Sequence, residues 1–261
     1  MTRQARLLMK MIYFAFVLYL FIPLSMMILM GFKDSKFIGF PVKSLTLDWY
    51  KAVISDMELL SIFGYSFTIA ITSTLFALVI GTWAAMLLSS ASFKGKVFIF
   101  ALVCLPAVIP GIISAIALRI YSQTLGIEPG MMAVILGHTI HNVPFVTLVG
   151  MARLNSQPVS HVEAALDLGA DNVVSFFRVT LPYLIPALVG SGIFCMLTSF
   201  DDFVRSFFLG GYEPTLPVYI FSQLRTGMSP EINAVSAIVL VITAIMGLTA
   251  ERLMRRNEGN N

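Results

Sequence analysis

Residues 153–182 read RLNSQPVSHVEAALDLGADNVVSFFRVTLP, a polar stretch between two long apolar segments. Its charged and amide side chains are too numerous for the membrane interior, yet they are patterned as helices. Ser160 and Glu163 fit a capping box, in which the serine oxygen and the glutamate each satisfy a free backbone N–H. A helix over 162–168 would then end at Gly169, a residue typical of helix C-termini. The stretch therefore predicts a structured loop.

A second short helix is predicted in the same loop. Asp171 or Asn172 begins it, and Pro182 marks the entry to the next apolar segment. Helices of about ten residues are marginal in water unless they pack on another surface. A docking element for a second protein and an amphipathic connector lying on the bilayer both fit this pattern.

The rest of the chain has the composition of an integral membrane protein. Of its 261 residues, 57% are hydrophobic and 12% are charged, whereas soluble domains carry about 25% charged residues. A membrane-spanning helix needs about 20 apolar residues. We predict an all-α integral membrane protein with one membrane domain over 1–261 and six transmembrane helices, at 11–32, 66–88, 97–122, 131–152, 183–209 and 232–254.

Proline interrupts several of these segments and predicts a kinked bundle that encloses a cavity. Pro106 and Pro110 lie in the third segment, Pro144 in the fourth and Pro186 in the fifth. Such breaks are tolerated where neighbouring helices or water-lined cavities satisfy the freed backbone groups.

Basic residues predict the orientation, because they concentrate on the cytoplasmic side. With six spans, both termini lie on the side that holds the excess, so we predict that both are cytoplasmic. That side carries ten basic residues: Arg3, Arg6, Lys10, Lys94, Lys96, Arg153, Arg178, Arg252, Arg255 and Arg256. The other side carries five, diluted by acidic residues: Lys33, Lys36, Lys43, Lys51 and Arg225.

Several classes of function are excluded by the same sequence. A net charge of +3, scattered along the chain, does not indicate nucleic-acid binding. Cys104 and Cys195 lie in apolar runs and imply no disulfide framework. No phosphate-cradling motif of the G-x-x-x-x-G-K-[ST] kind occurs, so ATP chemistry is not expected in this chain. The spans contain no paired nucleophile and base and no set of metal ligands, so the sequence does not indicate an enzyme.

Ionisable residues within the apolar segments are the candidates for function, because each is costly in a membrane. Asp201 and Asp202 would lie about 28 Å along the fifth helix from Pro182 at 1.5 Å per residue, about 100° apart around its axis. Arg205 can pair with either carboxylate. The group either neutralises itself or attracts a cationic substrate. Tyr121 is a candidate aromatic residue of the pathway, whereas Arg119 is predicted to extend to the outer interface.

Two histidines in the fourth segment allow two interpretations. His138 and His141 lie three residues apart on one helix face, a spacing compatible with a metal ion, but no third ligand accompanies them. We therefore predict hydrogen bonds between helices for these histidines and for Asn142.

The polar loop carries a resemblance to a known family. Glu163-Ala164-Ala165-x-x-x-Gly169, followed by Leu181-Pro182, resembles the EAA signature of ABC importer permeases. The C-terminal half is similar to spermidine/putrescine permeases in four stretches: Phe200-Asp201-Asp202-Phe203, Thr215-Leu216-Pro217, Arg225-x-Gly227 and Ser229-Pro230-Glu231-Ile232-Asn233-Ala234.

That resemblance implies a type I importer (MetI-like) bundle in a bacterial inner membrane. It implies a sister permease, two copies of a cytoplasmic ATPase that bind ATP and Mg²⁺, and a periplasmic substrate-binding protein. The ATPase-coupling residues would be Glu163, Ala164, Ala165, Gly169 and Asp171. Related permeases also serve aminoethylphosphonate, opine-like compounds and ferric iron, so those substrates stay open. An ion-driven secondary transporter is less well supported, because no inverted repeat is visible.

Overall fold

The computed structural model describes residues 3–35, 39–90, 93–227 and 230–258, and these are almost entirely helical. An isolated β-bridge between Lys33 and Leu45 is the one extended pairing within these ranges. The helices are α1 (Arg3–Gly31), α2 (Asp48–Ser55), α3 (Met57–Ser90), α4 (Lys96–Val108), α5 (Gly111–Thr124), α6 (Met131–Asn155), α7 (Val159–Asp167), α8 (Asn172–Ser175), α9 (Leu181–Phe200), α10 (Phe203–Leu209), α11 (Leu216–Thr226) and α12 (Pro230–Glu258).

Within the described residues, five continuous helical segments are long and apolar enough to cross a membrane, and there are six if one bent pair of helices counts as a single span. The five are Gln4–Gly31, Met57–Ser89, Met131–Asn155, Asn172–Phe200 and Pro230–Thr249. The helix that contains the second predicted span begins at Met57, well before residue 66. Asp56 caps α3, because its Oδ1 accepts from the backbone N–H groups of Glu58 (2.9 Å) and Leu59 (3.1 Å).

The third predicted span, 97–122, is not one helix. α4 and α5 meet at 108°, so this segment is either a broken span or a re-entrant loop. Pro110 lacks a backbone N–H and disfavours helical geometry in the residue before it. Ile109 is accordingly extended, with φ −70° and ψ 131°. The predicted proline kink is therefore a full break.

The residues of the fifth predicted span, 183–209, are divided between two helices, α9 and α10. α8 runs directly into a π-helical segment, Phe176–Thr180, and then into α9, which ends at Phe200. Within the π segment the Leu181 N–H bonds to the Phe176 carbonyl, five residues earlier. Pro182 has no N–H to offer the Arg178 carbonyl, which explains why the regular helical ladder shifts here. The second loop helix is therefore the start of the span and not a separate helix.

Two compact units make up the chain: Met1–Ser61 with Ile220–Ala244, and Ile62–Tyr219 with Ile245–Asn261. In the first unit, Gly31 lies against the backbone of Asn233 and Ala234, where an added Cβ would be 3.2 Å from the Ala234 nitrogen. Trp49 Nε1 donates to the Lys33 carbonyl over 2.9 Å. Much of α1 is exposed, as expected of a helix that faces lipid or another subunit. That the whole chain is a single membrane domain stays a prediction.

In the second unit, α6 is the most buried span. Small residues let it approach α3 closely, as is typical of membrane helices. A Cβ added at Gly81 would lie 2.6 Å from Val146 Cβ, and one added at Gly150 would lie 2.9 Å from Ala85 Cβ. α6 thereby lies in the interior of this unit, where its polar side chains meet those of α9 and α10.

Candidate functional site

The two adjacent aspartates lie in the break between α9 and α10. Asp201 follows the last residue of α9, and Asp202 is the N-cap of α10. The interpretation that both stand on one continuous helix is wrong. Asp202 Oδ1 accepts from the backbone N–H of Arg205 over 2.9 Å, a capping bond that starts the new helix. This break separates the environments of the two carboxylates.

Arg205 forms an ion pair with one of these two carboxylates. Its Nη1 donates to Asp202 Oδ2 over 2.6 Å, and the Arg205 residue is only 6% exposed. The predicted pairing of Arg205 is thus formed with Asp202. Asp201 is exposed, and among the described residues no hydrogen bond or ion pair reaches its carboxylate. A negative charge without a partner therefore stands beside a neutralised one.

His138 ties α6 to both sides of the break. Its Nδ1 lies 2.7 Å from Ser199 Oγ on α9, and its Nε2 lies 3.3 Å from Ser206 Oγ on α10. The same Nε2 is 3.9 Å from Asp202 Oδ2. Ser199 Oγ continues the network to Ser73 Oγ on α3 at 3.0 Å. Buried polar groups of this kind need such partners, and here they fix the position of α10.

His141 and Asn142 also bond across helices. His141 Nδ1 lies 2.9 Å from Arg205 Nη2. Asn142 Nδ2 donates to the Cys195 carbonyl over 3.2 Å, and Asn142 Oδ1 accepts from Thr198 Oγ1 over 3.2 Å. The predicted interhelical hydrogen bonding is confirmed. Among the described residues no group of three or more His, Cys, Asp or Glu side chains could hold a metal ion.

The candidate residues of α5 lie away from this network. Tyr121 is 61% exposed, and no contact of its side chain with the aspartates is recorded, so its place in a pathway stays a prediction. Arg119 was predicted to extend to the interface. It is only partly exposed, and its Nη1 is buried without a hydrogen-bond partner among the described residues. Its extension to the outer interface stays a prediction.

The polar loop 153–182 forms one separate helix rather than two. α7 begins at Val159 after Pro158, and no side chain caps it. The capping box is therefore wrong, because Ser160 lies inside the helix and not before it. Glu163 and Ala164 are exposed, and Ala165 is partly buried. The loop thus presents the Glu-Ala-Ala run largely to the outside.

The turn after α7 needs its glycine. Gly169 has φ +84°, a conformation that L side chains rarely adopt. The next N–H, of Ala170, bonds to the Ala165 carbonyl over 3.0 Å, so the chain reverses tightly. Asp171 then caps α8, accepting from the Val174 N–H over 2.7 Å. The predicted stop at Gly169 and start at Asp171 are confirmed as local structure.

Exposed apolar side chains lie at this turn and in the helical segment that follows it. Leu168 is 89% exposed, Val173 is 63% exposed and Phe177 is 60% exposed. Behind α7, a cavity of about 720 Å³ extends to the ends of α3 and α6, with Gln157 and Ser175 in its wall. The loop is therefore an outward projection that is not packed tightly on the helices behind it.

Known relatives cover almost the whole chain. It is 33% identical over 245 residues to the spermidine/putrescine transport system permease protein PotC of Escherichia coli K12, covering 93% of this chain and 92% of that protein. Identity to PotC of Haemophilus influenzae is 31%, over 94% of this chain and 96% of that one. Identity to the putrescine transport system permease protein PotI of Escherichia coli K12 is 32%, over 92% and 88%.

Solved structures support the fold. A bacterial ABC transporter involved in the import of alginate matches with a TM-score of 0.75 at 16% identity, over 97% of this chain and 96% of that chain. The methionine ABC transporter MetNI matches with a TM-score of 0.64 at 20% identity, over 74% and 92%. The predicted type I importer bundle of the MetI kind is confirmed.

The family assignment rests on the sequence itself. Residues 77–259 match the family described as the inner membrane component of binding-protein-dependent transport systems. Together with the relatives above, this confirms the resemblance read from the Glu163-Ala164-Ala165 run. The chain belongs to the family of inner membrane components of binding-protein-dependent transport systems, as the permease subunit of an ABC importer.

Proposed function

We propose that this permease imports polyamines, putrescine and spermidine, and that Asp201 is the carboxylate that meets the substrate. The observation that carries the proposal is the exposed, unpaired Asp201 beside an Asp202 that Arg205 already neutralises. A polyamine is a flexible cation, and a single carboxylate attracts it without holding it tightly. Weak, reversible attraction is what a transport pathway needs, because the substrate must leave again.

The relatives favour the same substrate class. PotC and PotI are named as permeases of spermidine/putrescine and putrescine transport systems, and the alignment with each of them covers about nine-tenths of this chain. The pairing of Asp202 with Arg205 lowers the net negative charge of the break to that of one carboxylate. This arrangement suits a substrate that passes through, and it disfavours a multivalent metal cation such as ferric iron, which prefers several oxygen ligands.

We further propose that the loop 153–182 docks on a cytoplasmic ATPase. Its support is the projection of α7, with Glu163 and Ala164 exposed, Ala165 partly buried and the Gly169 and Asp171 turn that orients them. ATP and Mg²⁺ would bind to two copies of that ATPase. A sister permease would complete the pathway, a periplasmic protein would deliver the substrate, and both termini would lie in the cytoplasm.

Uptake by whole cells tests the substrate. Labelled putrescine, spermidine and aminoethylphosphonate are offered to cells with this gene deleted and to cells with the gene restored on a plasmid. We expect polyamine uptake to fall on deletion and to return on restoration, with aminoethylphosphonate uptake unchanged. Loss of aminoethylphosphonate uptake alone would refute the proposed substrate and keep the importer.

A further inference from the structure

The break between α4 and α5 leaves a carbonyl group without its helical partner. In a regular helix the Pro106 carbonyl would accept from the N–H of residue 110, but residue 110 is proline and has none. The last bond of α4 joins the Ile109 N–H to the Leu105 carbonyl at 3.2 Å. An unsatisfied carbonyl inside a membrane is costly, so a partner from another helix is expected.

His141 of α6 lies beside the Pro106 backbone. Its Nδ1 lies 2.9 Å from Arg205 Nη2. A guanidinium nitrogen can only donate, and a carbonyl oxygen can only accept. Nδ1 must therefore carry the lone pair, and a neutral ring with its lone pair on Nδ1 carries its proton on Nε2. The contact with Arg205 thus defines a neutral ring in the Nε2–H tautomer.

This ring joins α6 to the break between α9 and α10 through one chain of hydrogen bonds. The chain runs from His141 Nδ1 to Arg205 Nη2, and from Arg205 Nη1 to Asp202 Oδ2. Arg205 Nε is buried and has no partner within the described ranges. Without His141, Nη2 would lose its acceptor as well, and Asp202 would be the sole side-chain acceptor left to hold the guanidinium.

We infer that His141 is a positioning residue that fastens Arg205 to Asp202 and so keeps Asp201 as the free carboxylate of the break. The charged and titratable groups that face His141 and Arg205 are Asp202 and His138. If Arg205 were released, its guanidinium could turn toward Asp201, the adjacent carboxylate. The role assigned to Asp201 rests on the proposed function, whereas the hydrogen-bond chain does not.

Nitrogen NMR of the full-length chain, with its histidines labelled with ¹⁵N and the protein in nanodiscs, tests the chain directly. The protein has three histidines, and the signals lost in His141→Asn identify this one. We expect a neutral ring with its proton on Nε2. In the charge-free double variant D202N/R205M the Nδ1 signal should shift while the Nε2 proton stays. A ring protonated on Nδ1, or an Nδ1 signal that is the same in the wild type and in D202N/R205M, would overturn the inference.

Uptake provides the functional half of the test. His141→Leu should lower putrescine uptake about tenfold, the equivalent of one lost hydrogen bond to a charged group. His141→Asn, which can still donate and accept, should retain most uptake, and T68V serves as control because the Thr68 hydroxyl bonds only within α3. In the D202N/R205M background His141→Leu should have no further effect, and an equal loss there would contradict positioning. If the wild type takes up no polyamine, the proposed function fails, and the nitrogen spectrum still decides this inference.

Discussion

Arg205 Nη1 donates to Asp202 Oδ2 over 2.6 Å within the first turn of α10, and both side chains are at least 90% buried. Asp202 also caps that turn by accepting from the Arg205 backbone N–H. One carboxylate thus holds the same residue through its main chain and its side chain. The arrangement makes Asp202 structural and leaves the adjacent Asp201 without a side-chain partner among the described residues, so the two aspartates should respond differently to the same change.

Asp201→Asn should impair transport without harming the protein. Because Asp201 is exposed and unpaired, removing its charge breaks no recorded contact. We expect the kcat/KM of putrescine uptake to fall about tenfold, corresponding to about 1.4 kcal/mol, with normal amounts of permease in the membrane. Glu128→Gln, another exposed carboxylate, is the matched control and should leave uptake unchanged. Wild-type uptake by Asp201→Asn would remove Asp201 from the pathway.

Asp202→Asn should instead destabilise the fold. It leaves the buried Arg205 charge without its counter-ion, and breaking a buried ion pair from one side costs about 3–5 kcal/mol. We expect a lower midpoint of thermal unfolding in detergent and less folded permease in membranes. Asp202→Asn combined with Arg205→Met removes both charges and should recover most of the stability. A double variant as unstable as Asp202→Asn would show that the ion pair is not the cause.

Gly81→Ala should disturb the packing of α3 on α6. The new methyl group would lie 2.6 Å from Val146 Cβ and 3.2 Å from the Val143 carbonyl oxygen, so backbone or side chain must move. Overpacking of this kind costs about 1–3 kcal/mol. The measurement is thermal unfolding of the purified permease. Gly64→Ala lies on the same helix with nothing within 4 Å of the new Cβ. Because alanine favours a helix more than glycine does, this control should unfold at or above the wild-type temperature.

Gly169→Ala should uncouple ATP hydrolysis from transport if the loop docks on the ATPase. A Cβ at φ +84° meets no neighbour, so the penalty is conformational, about 1–2 kcal/mol. We expect substrate-stimulated ATPase activity of the reconstituted complex to fall several-fold while the permease still inserts. Gly247→Ala, in the interior of α12 with open space around it, is the control. Full stimulation in the Gly169 variant would argue against a role for this turn.

The positions of the spans could be predicted from sequence because hydropathy is a local property. The segments that form α1, α6 and α12 are apolar over enough residues that their hydropathy alone identifies them as membrane helices. Helix ends were harder. Asp56 extends α3 by capping it, and Pro158 starts α7 ahead of the expected Ser160 cap. Both signals are visible in the sequence, but each competes with another start site nearby.

Only part of the candidate site could be predicted from the sequence. The aspartates and Arg205 stand out because charges are rare in apolar segments, yet the break at Asp201 was missed. Aspartate is among the residues preferred at helix N-caps, so Asp202 is itself a signal for the start of a new helix. The bridge from His141 to Arg205 could not have been found, because it joins residues 64 positions apart. That the Pro106 carbonyl beside His141 lacks a helical partner is likewise apparent only once the break at Pro110 is known.

The π segment Phe176–Thr180 is part of one continuous helical segment that joins the polar loop to the aspartate break. From Asn172 to Phe200 this helical segment has 29 residues, about 43 Å at 1.5 Å per residue. A change in the winding of this π segment would rotate α9 about its own axis. Asp201 follows the last residue of α9, so a movement applied at Asn172 would change the direction in which the Asp201 carboxylate points.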